Sequence, residues 1–132
     1  MKEIWFDGRF INPTTPDGIT SFSIGLVSEL SRLMHVNVLI HLEAQRNLLP
    51  ENVSFLKVND PTSIQELTLA KRLNSKGIGV LVSPMQTTSS LGRNFKLVLT
   101  LHDLIYYRHR TPPRAFSAPV RLGWLLFHLS YF

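Results

Sequence analysis

His102 and Asp103 are the residues of this sequence best suited to acid–base or sugar-binding chemistry. They follow the apolar stretch Lys96–Leu101, which is typical of a buried strand. Open α/β sheets place their ligand groups beyond the carboxyl ends of strands, and histidine can donate, accept or exchange a proton near neutral pH. Asp103 can orient the imidazole or bind a sugar hydroxyl. The alternative is a strand-terminal pair that only satisfies loop backbone.

A second candidate site is the turn-rich stretch 13–19, which leads into a predicted helix. Free backbone N–H groups and the helix dipole make such a start suitable for phosphate. Gly18 permits a positive φ or a close backbone approach to a ligand. Because neither G-x-G-x-x-G nor a P-loop signature is present, an ordinary loop glycine is the alternative.

A basic and aromatic run supplies the third candidate, with Tyr106, Arg108, Arg110 and Arg114 as its contact residues. Such residues can stack bases or bind phosphate, but no nucleic-acid fold signature accompanies them, so we expect no nucleic-acid partner. With the apolar helix predicted over 118–132, the run is typical of a patch that contacts a membrane surface. A plain surface loop, followed by a helix left exposed by truncation, is the alternative.

Composition excludes several other kinds of site. The chain has no cysteine, so disulfides and thiolate chemistry are absent. Its five histidines lack the spacing of a zinc motif, and we expect neither a metal nor a cofactor. No signal peptide and no apolar run of about 20 residues is present, which favours the cytoplasm.

Charge divides the chain into two unlike halves. Residues 1–66 hold five Lys/Arg and eight Asp/Glu, whereas residues 67–132 hold nine Lys/Arg and one acidic residue. The basic half can attract nucleic acid, anionic lipid or phosphate-bearing substrates, or it can be an ordinary solvated surface.

The elements that must position these residues alternate between strand and helix. Apolar stretches predict strands at 4–6, 36–40, 53–58, 80–82 and 96–101. Apolar residues three or four apart predict helices over 19–33 and 64–73, the second beginning at capping-box spacings (Thr62 with Gln65, Ser63 with Glu66) and ending at Gly77. We therefore predict one α/β domain, a Rossmann-like, open, mostly parallel sheet with helices on both faces.

Three segments resemble the N-terminal domain of retaining GT-B glycosyltransferases of family 4. Phe6–Arg9 with Asp17–Phe22 is similar to the family's first strand and glycine-containing loop, and Val80–Met85 to its strand ending in a serine-proline turn. Leu97–Tyr106 is similar to its strand ending in a His-Asp pair. The resemblance implies that residues 1–132 are the acceptor-side domain of a hexosyltransferase. Such an enzyme moves a sugar from a nucleotide-sugar donor to an acceptor with retention.

The family pattern also implies roles for individual residues. Gly18, Ile19 and Thr20 would lie near the donor diphosphate, His102 would face the cleft near the transferring sugar, and Asp103 would be its neighbour. The acceptor would be a lipid-linked sugar or a cell-envelope polysaccharide, reached at the inner face of the membrane, and no metal is needed. Many members have two adjacent glycines where this chain has Asp17 and Gly18.

The end of the chain predicts a truncated domain. The apolar helix over 118–132 has no cap and no following strand, and the family's second domain with its E-x7-E motif is missing. We therefore expect the chain to be the N-terminal half of a GT-B fold, to turn over no nucleotide sugar alone, and to self-associate through that helix. The competing hypothesis is a non-catalytic α/β module that binds an anionic partner through its arginines.

Overall fold

The computed structural model describes residues 3–102, 117–119 and 121–122. Its strands are β1 Glu3–Asp7, β2 Val36–Ile40, β3 Ser54–Lys57, β4 Ile78–Ser83 and β5 Lys96–Leu99. Its helices are α1 Gly18–Leu33, the short α2 Glu43–Arg46 and α3 Glu66–Leu73, which continues as a 3-10 turn over Asn74–Lys76. In the predicted helix over 118–132, the described residues 118–119 and 121–122 are helical, and the rest lies outside the described residues.

The five strands form one parallel sheet in the order β3-β2-β1-β4-β5. The chain first adds strands on one side of β1 and then crosses to β4 on the other side, so the strand order reverses between β1 and β4. This is the Rossmann-like sheet that the alternating pattern predicts, and the predicted fold class is confirmed. In such sheets the ligand crevice lies beyond the carboxyl ends of the strands at this reversal.

Alternate residues of the strands feed two separate apolar cores, one on each face of the sheet. On one face α1 packs through Val27 on Phe6 and Val38. On the other face α3 packs through Leu69 on Trp5 and Leu39. Because the strands are covered on both faces, β2 is apolar at four of its five positions and buried along its whole length.

Local signals explain where the helices begin and end. Asp17 caps α1 by accepting from the amide of Thr20, and Gly77 ends the α3 region with φ at 74°. The predicted capping box of α3 is wrong, because its N-cap is Gln65 and no side chain caps it. The side chain of Glu66 is drawn into a buried ion network instead of returning to the helix start.

Gly8 allows the loop after β1 to pass close to β2. A Cβ at this position would lie 2.7 Å from Val38 Cγ1 and 3.0 Å from the carbonyl oxygen of Leu39. The amide of Gly8 donates to that same oxygen, so the absence of a side chain keeps the first loop against β2.

Within the described ranges, no helix is both long and apolar enough to cross a bilayer.

Candidate functional site

Three chain segments meet beyond the carboxyl ends of β1, β4 and β5. β4 ends at Ser83, whose carbonyl oxygen accepts from both the amide and the hydroxyl of Thr100, at 3.0 and 2.9 Å. These bonds tie the end of β5 to the turn after β4. α1 reaches the same place through Phe22, whose ring contacts His102.

His102 lies at the junction of these segments. Its Nε2 is 2.6 Å from the carbonyl oxygen of Pro84, and its ring meets the ring of Phe22 edge-on, with centroids 5.5 Å apart. Phe22 lies one helical turn beyond Gly18, so the structure brings the predicted catalytic histidine and the first turns of α1 together. The imidazole remains exposed to solvent.

Gly18 begins α1 as an exposed residue with open space in front of it. It does not adopt a positive φ, and a Cβ built on it would meet no atom within 4 Å. The fold itself therefore has no need for glycine at this position, in contrast to Gly8. A ligand that approaches the backbone closely is one reason for a glycine here.

Thr20 and Asp17 are both engaged within the protein. The Thr20 hydroxyl accepts from the amide of Asn12 at 2.9 Å, and the Thr20 amide donates to Asp17 Oδ1 at 2.7 Å. This backbone hydrogen bond lowers the pKa of Asp17 below its ordinary value. Half-buried Ile19 lies between them. The start of α1 already carries a carboxylate, and a phosphate would have to lie beside it on the side of Gly18 or displace it from Thr20.

Beneath this surface lies a buried ion network centred on Arg9. Arg9 is only 2% exposed, and Asp7 and Glu66 are fully buried. The guanidinium makes two parallel bonds to each carboxylate, to Asp7 at 2.8 and 2.8 Å and to Glu66 at 2.5 and 2.9 Å. Its remaining N–H donates to the carbonyl of Asn59 at 3.2 Å, so all the donors of the guanidinium are used.

The balance of charges sets the protonation state of Arg9. Burial alone would lower its pKa, but the charge of Asp7 and the hydrogen bonds to Asp7 and Glu66 outweigh burial and raise the pKa above its usual value. The carboxylate oxygens are equally engaged, since Glu66 also accepts from Asn59 Nδ2 and the amide of Ser89. This network joins β1, α3 and the loop before β5, and it leaves no vacant position for a ligand.

A chain of hydroxyl groups connects the buried network to the turn that holds His102. Thr88 Oγ1 lies 2.8 Å from Asp7 Oδ2 and 2.6 Å from Ser83 Oγ. Ser83 Oγ also accepts from the amide of Met85 at 3.1 Å. Because the Asp7 carboxylate only accepts, Thr88 donates to it and Ser83 donates to Thr88.

Some predicted site residues cannot be placed. Asp103, Tyr106, Arg108, Arg110 and Arg114 lie outside the described residues, and their roles stay predictions. His35 and His41, which flank β2, contact Ser54 Oγ at 2.9 Å and Asp60 Oδ2 at 3.8 Å. Among the residues with described positions, no group of three His, Asp or Glu side chains is arranged to hold a metal ion.

No sequence pattern predicted the Arg9 ion network or the hydrogen bond between Ser83 and Thr88. The ion pair joins residues 57 positions apart, and no local spacing encodes it. A usable signal is the pairing of Asp7 and Arg9 directly after a buried strand, because charged residues at such a place must find partners.

Comparisons with known proteins add no assignment: no protein-family model matches the chain, and no curated sequence or solved structure is significantly similar to it.

Proposed function

We propose that this chain is the acceptor-side domain of a retaining GT-B glycosyltransferase. A sugar passes from a nucleotide-sugar donor to a lipid-linked or polysaccharide acceptor at the membrane surface. The bond between the anomeric carbon and the diphosphate breaks, a bond to the acceptor hydroxyl oxygen forms, and the hydroxyl proton passes to the released diphosphate. The nucleotide itself lies mainly on a second domain, so we expect the 132-residue chain alone to transfer no sugar.

The observation that carries the proposal is the meeting of His102 with the start of α1 at the strand-order reversal. The exposed imidazole contacts Phe22 of α1, and one helical turn earlier the exposed Gly18 leaves its backbone open. A sugar diphosphate presents both a hydroxyl-rich ring and an anion, and this crevice offers one partner for each. The short motifs around β1, β4 and β5 that resemble the GT-B family support the same function.

The residues of this crevice have distinct parts in the proposed reaction. His102 binds the transferring sugar, and the positive end of the α1 dipole, at Gly18 and Ile19, stabilises the charge that develops on the leaving diphosphate. Asp17 opposes this with its own negative charge. We infer that the diphosphate contacts α1 at its outermost amides, those of Gly18 and Ile19, rather than at Thr20.

The first test compares Gly18→Ala with Gly25→Ala. Both glycines lie in α1, and a Cβ at either would meet no protein atom within 4 Å, so neither substitution clashes. Titration of the chain with UDP-glucose, GDP-mannose and ADP-glucose, followed by amide NMR, should move the resonances of residues 18–20 and of His102. We expect Gly18→Ala to weaken this binding about tenfold or more, whereas Gly25→Ala should leave it unchanged.

Stability serves as the control for these two variants. Replacing glycine inside a helix by alanine should stabilise the Gly25 variant by about 0.5–1 kcal/mol, and the Gly18 variant should not be destabilised. If no nucleotide sugar moves the amides of residues 18–20, or if both variants bind equally well, the proposed donor contact is wrong.

A second candidate function is a non-catalytic module for an anionic partner, and one surface favours it. Lys71, Lys76, Arg93 and Lys96 make no ion pair within the described residues. Arg93 and Lys96 line a cleft of about 710 Å³ at the amino end of β5, whereas His102 lies beyond the carboxyl end of the same strand. We call these four residues the basic edge. Such a module would bind polyanions with strong salt dependence and would not respond to changes at Gly18.

A further inference from the structure

The bond between His102 and Pro84 restricts which nitrogen of the imidazole carries hydrogen. A carbonyl oxygen can only accept, so Nε2, at 2.6 Å from the Pro84 oxygen, must donate. In the neutral ring the other nitrogen, Nδ1, then has no hydrogen and is an acceptor. Among the described residues, none donates to Nδ1.

The acceptor in this bond is itself held in place. Pro84 is buried, and the preceding Ser83 is fixed by its hydroxyl to Thr88 and through Thr88 to Asp7. Ser83 also holds Thr100, two residues before His102, through its carbonyl oxygen. The turn therefore fixes both the backbone that leads to His102 and the oxygen that its ring contacts. The edge-on contact with Phe22 limits rotation of the ring on its other side.

We propose that the Ser83–Pro84 turn holds His102 as the Nε2–H tautomer and that Nδ1 accepts a hydrogen bond from a hydroxyl group of the ligand. Ser83, Pro84 and Thr88 are positioning residues, and their effect on the ligand passes through the imidazole. A neutral acceptor nitrogen binds a sugar hydroxyl and gives no hydrogen bond to a phosphate or carboxylate oxygen. The inference rests on the proposed function only in taking this crevice as the ligand site.

The tautomer can be measured without any ligand. In long-range ¹H–¹⁵N spectra of the ¹⁵N-histidine-labelled chain, recorded where the ring is neutral, the two nitrogens give distinct resonances, and His102→Gln assigns them among the five histidines. We expect the ratio of Nε2–H to Nδ1–H to be about fivefold higher in the folded chain than in the same chain unfolded in urea. This is the shift expected from one neutral hydrogen bond. An unchanged or lower ratio overturns the proposal.

A pair of variants tests the positioning role. Thr88→Val removes the hydroxyl that joins Ser83 to Asp7, and Thr68→Val removes an exposed hydroxyl that donates to a helix carbonyl, that of Gln65. We expect the first variant to move the tautomer ratio of His102 toward its unfolded value and the second to leave it unchanged. Equal ratios in both folded variants would show that the turn does not set the tautomer. Because the wild-type ratio is measured independently, misfolding of Thr88→Val would not remove the test.

The ligand half of the proposal uses methyl α-glucoside and inorganic sulfate as probes, each at high concentration, because sulfate has no hydroxyl donor at neutral pH. We expect the glucoside to move the Nδ1 resonance of His102 and sulfate to leave it in place. No response to the glucoside, or a response to sulfate alone, overturns this half. The outcome is separate from that of the glycosyltransferase proposal, which fails if nucleotide sugars do not move the amides of residues 18–20.

Discussion

Arg9 is the residue whose interactions most constrain this fold. A buried guanidinium is costly to desolvate, and here the cost is offset by five hydrogen bonds and two carboxylates. Its partners come from the end of β1, the start of α3 and the segment before α3, so a single side chain fixes three parts of the molecule. Such a residue stabilises one arrangement of these segments over others, because any other arrangement would leave a buried charge without a partner.

Removing this charge should therefore be severe. We expect Arg9→Met to lower the free energy of unfolding by about 3–5 kcal/mol, because Asp7 and Glu66 would be left buried and unpaired. Urea denaturation followed by circular dichroism measures the change. Arg32→Met is the matched control, since Arg32 pairs with Glu29 at 3.4 Å on an exposed surface and should cost no more than about 0.5 kcal/mol. Similar losses in the two variants would contradict the role given to Arg9.

At this scale the sequence predicted only part of what matters. His102 was identified because it directly follows the apolar stretch 96–101, which contains β5, and position relative to such a stretch is a local property. The partners of Arg9 are set by the path of the chain between β1 and α3, which no short spacing records. Glu66 shows the difficulty directly, because its spacing from Ser63 indicates a capping box while its side chain binds Arg9.

Among the elements, α1 shows how a cap and a ligand site can compete. Asp17 satisfies the Thr20 amide and places a negative charge at the positive end of the helix dipole. This arrangement stabilises the helix and also repels another anion. Two adjacent glycines would leave the helix start uncapped, so in the proposed donor site Asp17 stabilises the helix and weakens phosphate binding.

The cap makes part of the stability depend on pH. Because the pKa of Asp17 is lowered in the folded chain by the Thr20 amide, its contribution is complete above the unfolded pKa of about 3.9 and is lost as pH falls through the folded pKa. Asparagine caps helices equally well but does not titrate. We expect the stability advantage of wild type over Asp17→Asn to shrink as pH is lowered from about 5 toward and below 3.9.

Urea denaturation of both proteins across this pH range checks the prediction, and a difference that does not vary with pH would contradict it. Asp60→Asn provides a parallel case. The amide and hydroxyl of Thr62 donate to Asp60 Oδ1 at 2.8 and 2.7 Å, and the backbone hydrogen bond lowers the pKa of Asp60. The same sign of pH dependence is therefore expected for that variant.

Periodicity predicted the elements better than capping predicted their ends. The strand over 36–40 and the helix over 19–33 were recognised because burial on both faces, or on one stripe, repeats along the chain. The short helix α2 was missed. Its stability comes from Gln45, whose amide oxygen accepts from two backbone amides and whose nitrogen donates to the carbonyls of Arg9 and Ile11. The two bonds from its nitrogen reach another loop, and such contacts leave no periodic pattern in the sequence.

At the scale of the whole molecule, the basic edge and the proposed ligand site lie at opposite ends of the strands. The basic edge lies around the amino end of β5, whereas His102 and α1 meet beyond the carboxyl ends. Lys71 packs beside Gly92, and Asn74 holds the same loop by accepting from the amide of Asn94. The cations of this edge are thus carried on an ordered surface.

This separation predicts that polyanion binding and donor binding can be changed independently. We expect inorganic polyphosphate to bind the chain, measured by calorimetry at several salt concentrations. In Arg93→Gln/Lys96→Gln the magnitude of the slope of log K against log salt concentration should fall by somewhat less than two. Each neutralised phosphate contributes about 0.7–0.9 to that slope. Arg32→Gln/Lys57→Gln removes the same charge from the acidic half and should have little effect. Loss of donor binding in the first variant would contradict the separation.

The overall fold was the most predictable level. Alternating strands and helices with continuous apolar strands leave few arrangements other than a parallel sheet covered on both faces. The strand order was not encoded in the same way. It depends on the crossing from β3 to β4, which follows from how α3 packs on Trp5 and Leu39.

The central position of β1 also has a consequence for synthesis on the ribosome. The first strand to be made is the one that needs two neighbours: Phe6 pairs with Val38 and with Val82, the latter 76 positions later. At about 5–20 residues per second, the nascent chain waits roughly 2–9 s between these two partners, which are 44 positions apart. During that interval one edge of β1 is unpaired, and Arg9 lacks its partner Glu66 until residue 66 has been made. Translation speed through residues 40–82 therefore sets how long the emerging chain is exposed to chaperones, proteases and mispairing.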